Sequence, residues 1–352
     1  MRLGYACINT ELRKKKIFMS RSITVATLVE MTPRAAVERC RALVVQNLHD
    51  LQTILEWNEA HGIRFFRLSS NIFPHIGNHT LPARFRREPY FRGDIAFALP
   101  QLRKIGAWAR EHNHRLTIHM TPYIQLGSPD TGIVSRSVFD IIMYTKTLRA
   151  LATSDPCIIL HGGGVYLTRD DTTGGGDACH QRCDAGLGTS GGAGTSAGAA
   201  AMSEADAELL TAAKQKTLAR WLRNYRGLPL TTRRLIVLEN DERHYGVTDL
   251  LPFCENTGIP LCFDVFHNSI SAAHVAVTDS LVRRIVRTWP RGVVPKFHIS
   301  EQDPDLGFGA HARRVARLPA WLRSSSWDVM VEAKDKEQAV IDLMKKYRIS
   351  QK

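Results

Sequence analysis

Short apolar runs recur along this chain, and between them the apolar positions switch from strand-like to helical spacing. Leu3 to Ile8 reads as a first strand. Pro33 opens a long helical pattern to about Ala60, with Leu43, Val44, Leu48, Leu51 and Leu55 on one face, and Gly62 closes it. Arg64 to Ser70 is the second strand, Asp94 caps a helix to His112, and Arg115 to His119 is the third strand. A helix over Ser137 to Thr153 leads to the fourth, Cys157 to His161. A helix from Glu204 to Tyr225 precedes the fifth, Arg234 to Glu239, and Gly246 to Thr257 joins it to the sixth, Leu261 to Asp264. Asp279 to Trp289 is helical, Val293 to Ile299 is the seventh strand, Trp327 to Glu332 the eighth, and Lys334 to Tyr347 the last helix. Strands alternating with helices predict a parallel sheet. Eight such units predict a single α/β barrel of the (β/α)8 or TIM type over residues 1–352.

One stretch breaks the rhythm. Thr168 to Ser203, rich in Gly, Ala, Ser and Thr, holds too few apolar residues to offset its own ordering entropy. It reads as a disordered, low-complexity insertion after the fourth strand. It lacks the closing Lys-Ser or Lys-Thr of a phosphate-binding loop.

Hydrophobic content of 44% with 23% charged residues describes a globular chain with a large core. No run approaches the roughly 18 apolar residues of a membrane span, and the N-terminus lacks a signal peptide's layout. Cys7, Cys40, Cys157, Cys179, Cys183, Cys254 and Cys262 are scattered and odd in number, which favours reduced thiols in an intracellular protein. A formal net charge of +13 changes the picture more, because it favours a polyanionic partner, nucleic acid first. The charge clusters at Arg13-Lys-Lys-Lys16 with Arg21, and at Arg84-Phe-Arg-Arg87 with Arg92, both in loops after predicted strands.

The strand ends carry the chemistry. His119, His161, Glu239, Asp264, His298 and Glu332 close strands three to eight, with His267 just beyond Asp264 and His311 after strand seven. The carboxyl ends of barrel strands converge on one rim, where a buried carboxylate is costly unless it meets a cation or a base. A lone histidine there is ordinarily a core residue, but successive strands delivering imidazole or carboxylate at one rim point to metal. Nitrogen and oxygen ligands without thiolate suit manganese or zinc better than magnesium or calcium. The ligand number calls for two or three divalent ions bridged by carboxylates, an arrangement that clamps phosphate oxygens.

These residues resemble the UV-damage endonucleases, relatives of the endonuclease-IV type of abasic-site nuclease. The resemblance runs through Arg2-Leu-Gly-Tyr-Ala-Cys-Ile-Asn9, Asn9-Thr-Glu-Leu-Arg, Ile54-Leu-Glu-Trp-Asn and Phe66-Arg-Leu-Ser-Ser. It continues through His161-Gly-Gly-Gly-Val-Tyr, Leu238-Glu-Asn-Asp, Phe263-Asp-Val-Phe-His, Lys296-Phe-His-Ile-Ser and Asp328-Val-Met-Val-Glu-Ala-Lys-Asp-Lys-Glu. It implies a three-metal hydrolase that nicks double-stranded DNA immediately 5′ of UV photoproducts, leaving a 3′-hydroxyl and a 5′-phosphate. It further implies that His119, His161 and Glu239 hold one ion, that Glu239, Asp264, His298 and Glu332 hold a second, and that His267 with His311 holds a third. Manganese is the expected metal, with zinc or magnesium as alternatives, and a monomer is the expected state. Two positions depart from the pattern. Pro122 precedes Tyr123 where the family carries Gln, which bears on a lesion-probing wedge, and Arg313 stands where relatives often carry Asp near the third site.

Around the metals, Tyr5 and Tyr123 are the candidate aromatics to fill space vacated by an extruded lesion. Asn9, in the motif that favours the UV type of nuclease, is a further candidate DNA contact. Lys296, two residues before His298, shares its direction in the strand and joins Glu239 and Glu332 as a catalytic candidate, by binding phosphate, staying neutral or being carboxylated. Arg13, Lys14, Lys15, Lys16 and Arg21 suit phosphate contacts rather than base reading. Three competing readings are an abasic-site nuclease, a metal-dependent sugar isomerase and a non-catalytic damage-binding protein. The basic clusters argue against the isomerase, and the complete ligand set argues against binding alone.

Overall fold

The computed structural model describes residues 1–166, 203–323 and 325–350. β1 (Leu3–Ala6), β2 (Phe65–Leu68), β3 (Arg115–His119), β4 (Ile158–His161), β5 (Ile236–Glu239), β6 (Leu261–Asp264), β7 (Lys296–Ile299) and β8 (Asp328–Val331) pair in sequence order, and β8 closes on β1. Every pairing is parallel. The eight-stranded α/β barrel expected from the alternation is therefore the fold. The predicted insertion lies outside the described residues up to position 202. Ser203 belongs to the next helix, Glu204–Arg226, whose Asp206 amide it caps.

Strand alternation sorts the side chains. Leu3, Tyr5, Phe66, Leu116 and Ile118 point outward into the apolar layer under the helices. Ala6, Phe65 and Met330 meet inside the barrel, and a Cβ on Gly4 would lie 2.4 Å from the Phe65 carbonyl oxygen. Below them, Cys157, Ile159, Val237, Cys262 and Trp289 pack the lower interior. The helix Pro33–Ala60 starts on Thr32, whose hydroxyl accepts the Ala35 amide, and Gly62 at φ +71° ends it.

Boundaries differ where local caps outcompete periodicity. The helix before β4 spans Thr131–Leu151, because Asp130 accepts the Gly132 and Ile133 amides a full turn and a half ahead of the apolar stripe. Asp94 does not cap a long helix; its carboxylate closes a turn onto Ala96, and the helix runs Leu99–Glu111. The first basic cluster is not wholly loop, since Thr10–Lys14 forms a short helix capped by Asn9.

Candidate metal centre and nucleic-acid face

The mouth of the barrel is built from strand ends that stand level. His161 is in register with Glu239, and Asp264 with His298. This brings Glu239 to the centre: its Oε2 lies 2.6 Å from His119 Nε2 and 4.0 Å from His161 Nε2, while its Oε1 lies 2.7 Å from His298 Nδ1. His298 Nδ1 is also 3.1 Å from Glu332 Oε1 and 3.9 Å from Asp264 Oδ2. Three overlapping ligand groups result: His119, His161 and Glu239; Glu239, His298 and Glu332; and Glu239, Asp264 and His267. Glu239 belongs to all three.

The donor atoms are aimed, and one, on Asp264, lacks a hydrogen bond. His119 Nδ1 lies 2.7 Å from the Met120 carbonyl oxygen, to which it can only donate, so Nε2 is turned to Glu239. His267 is likewise held by the Asn240 carbonyl oxygen at 3.0 Å. It sits one turn into the helix Val265–Ile270, where its amide donates to Asp264 Oδ1. The other oxygen of Asp264, with His298 Nε2 and His161 Nδ1, is buried without a hydrogen bond. The unpaired Asp264 oxygen is costly to bury, and a cation accounts for it; His161 Nδ1 and His298 Nε2 are not the ring nitrogens nearest Glu239.

The electrostatics agree. Burial, with Glu239 and Glu332 nearby, pushes the Asp264 carboxyl up to about 7 against the opposing pull of His267. Burial would raise Glu239 too, but His298, His119 and His161 hold it well below the usual carboxylate range. His298 is lowered to about 4 by burial despite Glu239. For His267, burial is overcome by Asp264, Glu239 and Glu242, which raise it to about 10. Of the three carboxyls, Asp264 is the one the chain leaves short of positive charge.

Other predicted residues fall in different places. His311 is near but apart: its ring lies 6.4 Å from that of His267, and Nδ1 meets Ser300 Oγ and the Glu332 carbonyl oxygen. Lys296 is fully buried a layer beneath His298, donating to Thr117 Oγ1 at 3.3 Å rather than to a carboxylate of the centre, and burial lowers its pKa. Arg13, Lys14, Lys15 and Lys16 are exposed, and Tyr123 is 77% exposed beside the mouth.

Two expected DNA contacts, Tyr5 and Asn9, are corrected, and a third, Arg21, is half-buried and ion-paired. Tyr5 is wholly buried because β1 turns it outward to the helices, where its hydroxyl donates to Asn58 and accepts from Asn9. Asn9 is spent on that bond and on capping Leu12. Arg21 is engaged by Asp50 at 2.6 Å and lies over the Phe18 ring. No motif or spacing marks the buried link between Gln125 and the glycine loop nearby. Gln125 accepts from the Gly164 amide and donates to the Pro122 carbonyl, tying the Tyr123 loop to the glycines after β4. Gly163, at φ +93°, leaves no room for a Cβ against Gln125.

Arg67 is the principal omission. It projects from β2 into the centre, bonds Glu332, and with His298 holds that carboxyl down against burial. An arginine amid the apolar residues of Phe66-Arg-Leu was the available signal. Glu337 is another: buried, it accepts the Thr10 and Glu11 amides, so the N-terminal and C-terminal motifs meet. Arg313, at the second departure, is exposed and paired with Asp335.

Among known proteins, the family model described as UV-endonuclease UvdE matches residues 1–177 and 211–352. A protein of Acanthamoeba polyphaga mimivirus named as a UV-damage endonuclease is 36% identical, over 99% of this chain and 91% of that one. The UV-damage endonuclease of Schizosaccharomyces pombe is 30% identical over 99% of this chain, which spans 51% of its length. The crystal structure of SacUVDE shares the fold at a TM-score of 0.72, with 24% identity, covering 99% of this chain and 98% of that one. The chain belongs to the UV-endonuclease UvdE family and is an endonuclease, a hydrolase of DNA.

Proposed function

We propose that this chain cuts the phosphodiester bond immediately 5′ of UV photoproducts in double-stranded DNA, cyclobutane dimers and 6-4 products, leaving a 3′-hydroxyl and a 5′-phosphate. The observation that carries this reading is the single buried carboxylate, Glu239, shared by three ligand groups at the barrel mouth. The donors fit two or three divalent ions, manganese first, since all are nitrogen or oxygen and one oxygen of Asp264 is buried without a hydrogen bond. His119, His161 and Glu239 would hold one, Glu239, Asp264, His298 and Glu332 a second, and His267 with His311 a third. Bound there, such ions supply Lewis-acid polarisation of a phosphate and a hydroxide nucleophile at neutral pH.

The chain's own residues do the rest. Glu239 and Glu332 keep their negative charge under burial because His298, His119 and Arg67 stand beside them. Arg67 fixes the direction of Glu332. Lys296 sits below, its amine inclined to neutrality by burial, as the floor of the centre. Exposed Arg13 to Lys16 grip phosphates without regard to sequence, and Tyr123 occupies the space a damaged step opens. Among the described residues no helix is long and apolar enough to cross a membrane. The whole chain acts as one monomeric unit inside the cell in this reading.

An incision assay tests it. End-labelled duplexes carrying one cyclobutane dimer, one 6-4 product or one abasic site are incubated with and without manganese. Cleavage is expected just 5′ of both photoproducts and only with metal. Cutting confined to abasic sites would replace this reading with the abasic-site one, and binding without cutting would make the chain a damage-binding protein.

A further inference from the structure

The chain after β7 forms a tight loop, Asp303 to Ala310, between the candidate ligands His298 and His311. Its stem is an antiparallel bridge of Gln302 with His311, followed by the Asp303 amide donating to the Ala310 carbonyl at 2.8 Å. The Gln302 carboxamide fills its interior, donating to the Asp303 and Gly307 carbonyls and accepting from the Gly309 amide at 2.9 Å. Asp303 takes the Asp305 amide and Lys334 Nζ, the latter at 2.6 Å. None of these bonds uses the side chain of Leu306 or Phe308. Those two stand in water, 53% and 58% exposed.

A loop stapled so fully, yet presenting two large apolar groups to solvent, is organised for contact rather than for folding. Its position is specific. Tyr123 follows β3 and this loop follows β7, four strands away in an eight-stranded closed barrel, so the two lie on opposite lips of the mouth. A cavity of about 420 Å³ joins the lips: Pro122, beside Tyr123, lines one side, Gly309 and His311 line the other, and His161 and His267 lie between. Arg243 and His244 line it beside Asp241 and Glu242, so it is the whole chain's net charge of +13 that favours a polyanion over an uncharged protein surface.

We propose that the Asp303–Ala310 loop is a second DNA wedge, with Leu306 and Phe308 packing against bases at the opened step from the lip opposite Tyr123. The proposal rests on the reading of the chain as a nuclease of damaged duplex. Apolar side chains inserted at a base step recover part of the lost stacking, and the recovery counts most where the step is already weakened. Rigidity of the loop means that little side-chain and loop entropy is lost on binding.

The test uses the full chain loaded with manganese and a duplex carrying one cyclobutane dimer beside a 2-aminopurine. Wild type is expected to raise 2-aminopurine fluorescence on binding and then to incise. The double variant Leu306→Ala/Phe308→Ala should bind undamaged duplex within about twofold of wild type but dimer duplex about tenfold more weakly, with the fluorescence rise reduced. Phe308→Trp should restore both. Metal content and thermal melting report that the variant is folded. Unchanged affinity and fluorescence in the double variant, or equal loss on both duplexes, overturns the wedge. A wild-type protein that opens the dimer step without incising it would sink the nuclease reading and leave the wedge standing.

Discussion

Buried charge gathers at both ends of this barrel, and the two ends are built on opposite terms. At the floor, Asp328 opens β8 and accepts Arg115 Nη1 at 2.9 Å, the Arg2 amide at 3.1 Å and the Arg2 guanidinium at 2.8 Å. Arg115 spends its remaining donors on the Asp155 and Val294 carbonyl oxygens, leaving Nη2 unpaired. At the mouth, Glu239, Asp264 and Glu332 crowd together with the Arg67 guanidinium and the His267 imidazole, and one oxygen of Asp264 lacks a hydrogen bond. The floor brings its own counter-charge and is structural. The mouth leaves Asp264 without enough counter-charge, so it is complete only with something the chain does not encode.

The sharpest way to break this contrast is to remove one carboxylate from each end. Glu239→Gln should release metal from more than one position and cut incision by on the order of a hundred- to a thousandfold, with the circular dichroism unchanged. Metal content at the wild-type level would end the idea that Glu239 is shared. Asp328→Asn should do the reverse. Leaving Arg115 and Arg2 uncompensated should cost about 3–5 kcal/mol in urea unfolding, while metal per folded chain stays as in wild type. If the floor variant lost metal instead, the two ends would not be separable.

Smaller effects sharpen the comparison around the rim. Replacing Arg13, Lys14, Lys15 and Lys16 by Gln should weaken damaged and undamaged duplex alike, and flatten the log–log salt dependence by roughly 0.9 for each phosphate no longer neutralised. Tyr123→Ala should instead lower affinity for lesion duplex selectively, by about tenfold. Isotherms at several salt concentrations separate the two patterns, and a swap between them would refute the division of labour. A last effect is a pH dependence away from both ends. Burial lowers His114 from 6.5 to about 4 although Glu59 lies 3.0 Å away. The unfolded state therefore binds the extra proton first, so this stability is complete above pH 6.5 and is lost as pH falls toward 4. Urea midpoints of wild type and His114→Gln should converge over that window, and parallel curves would count against it.

How much of this was legible beforehand depended on whether a residue's role was local. β3 matches the predicted span Arg115 to His119, and the helix Pro33–Ala60 its predicted limits, because a proline, a cap and a glycine mark the ends. Asp130 was missed as a cap because the polar turn it governs precedes any apolar stripe. His119, His161, Glu239, Asp264 and His298 were legible as strand-end residues, since parallel strands in register must deliver their last inward positions to one rim. Tyr5 was misjudged for the same reason in reverse: it is near the end of β1, but alternation with Gly4 and Ala6 turns it away from the barrel.

What the sequence determined alone was therefore periodic: the order of strands and helices, the barrel, and the set of imidazoles and carboxylates at its carboxyl rim. What only the tertiary structure decided was pairing between positions far apart in the chain. Arg67 reaches Glu332, Glu337 ties the N-terminal helix Thr10–Lys14 to the C-terminal motif, and Asp328 joins Arg2 to Arg115. No spacing rule predicts such pairings, because the chain closes the barrel by bringing β8 back to β1, and the choice of partner is made by distance and desolvation at that closure.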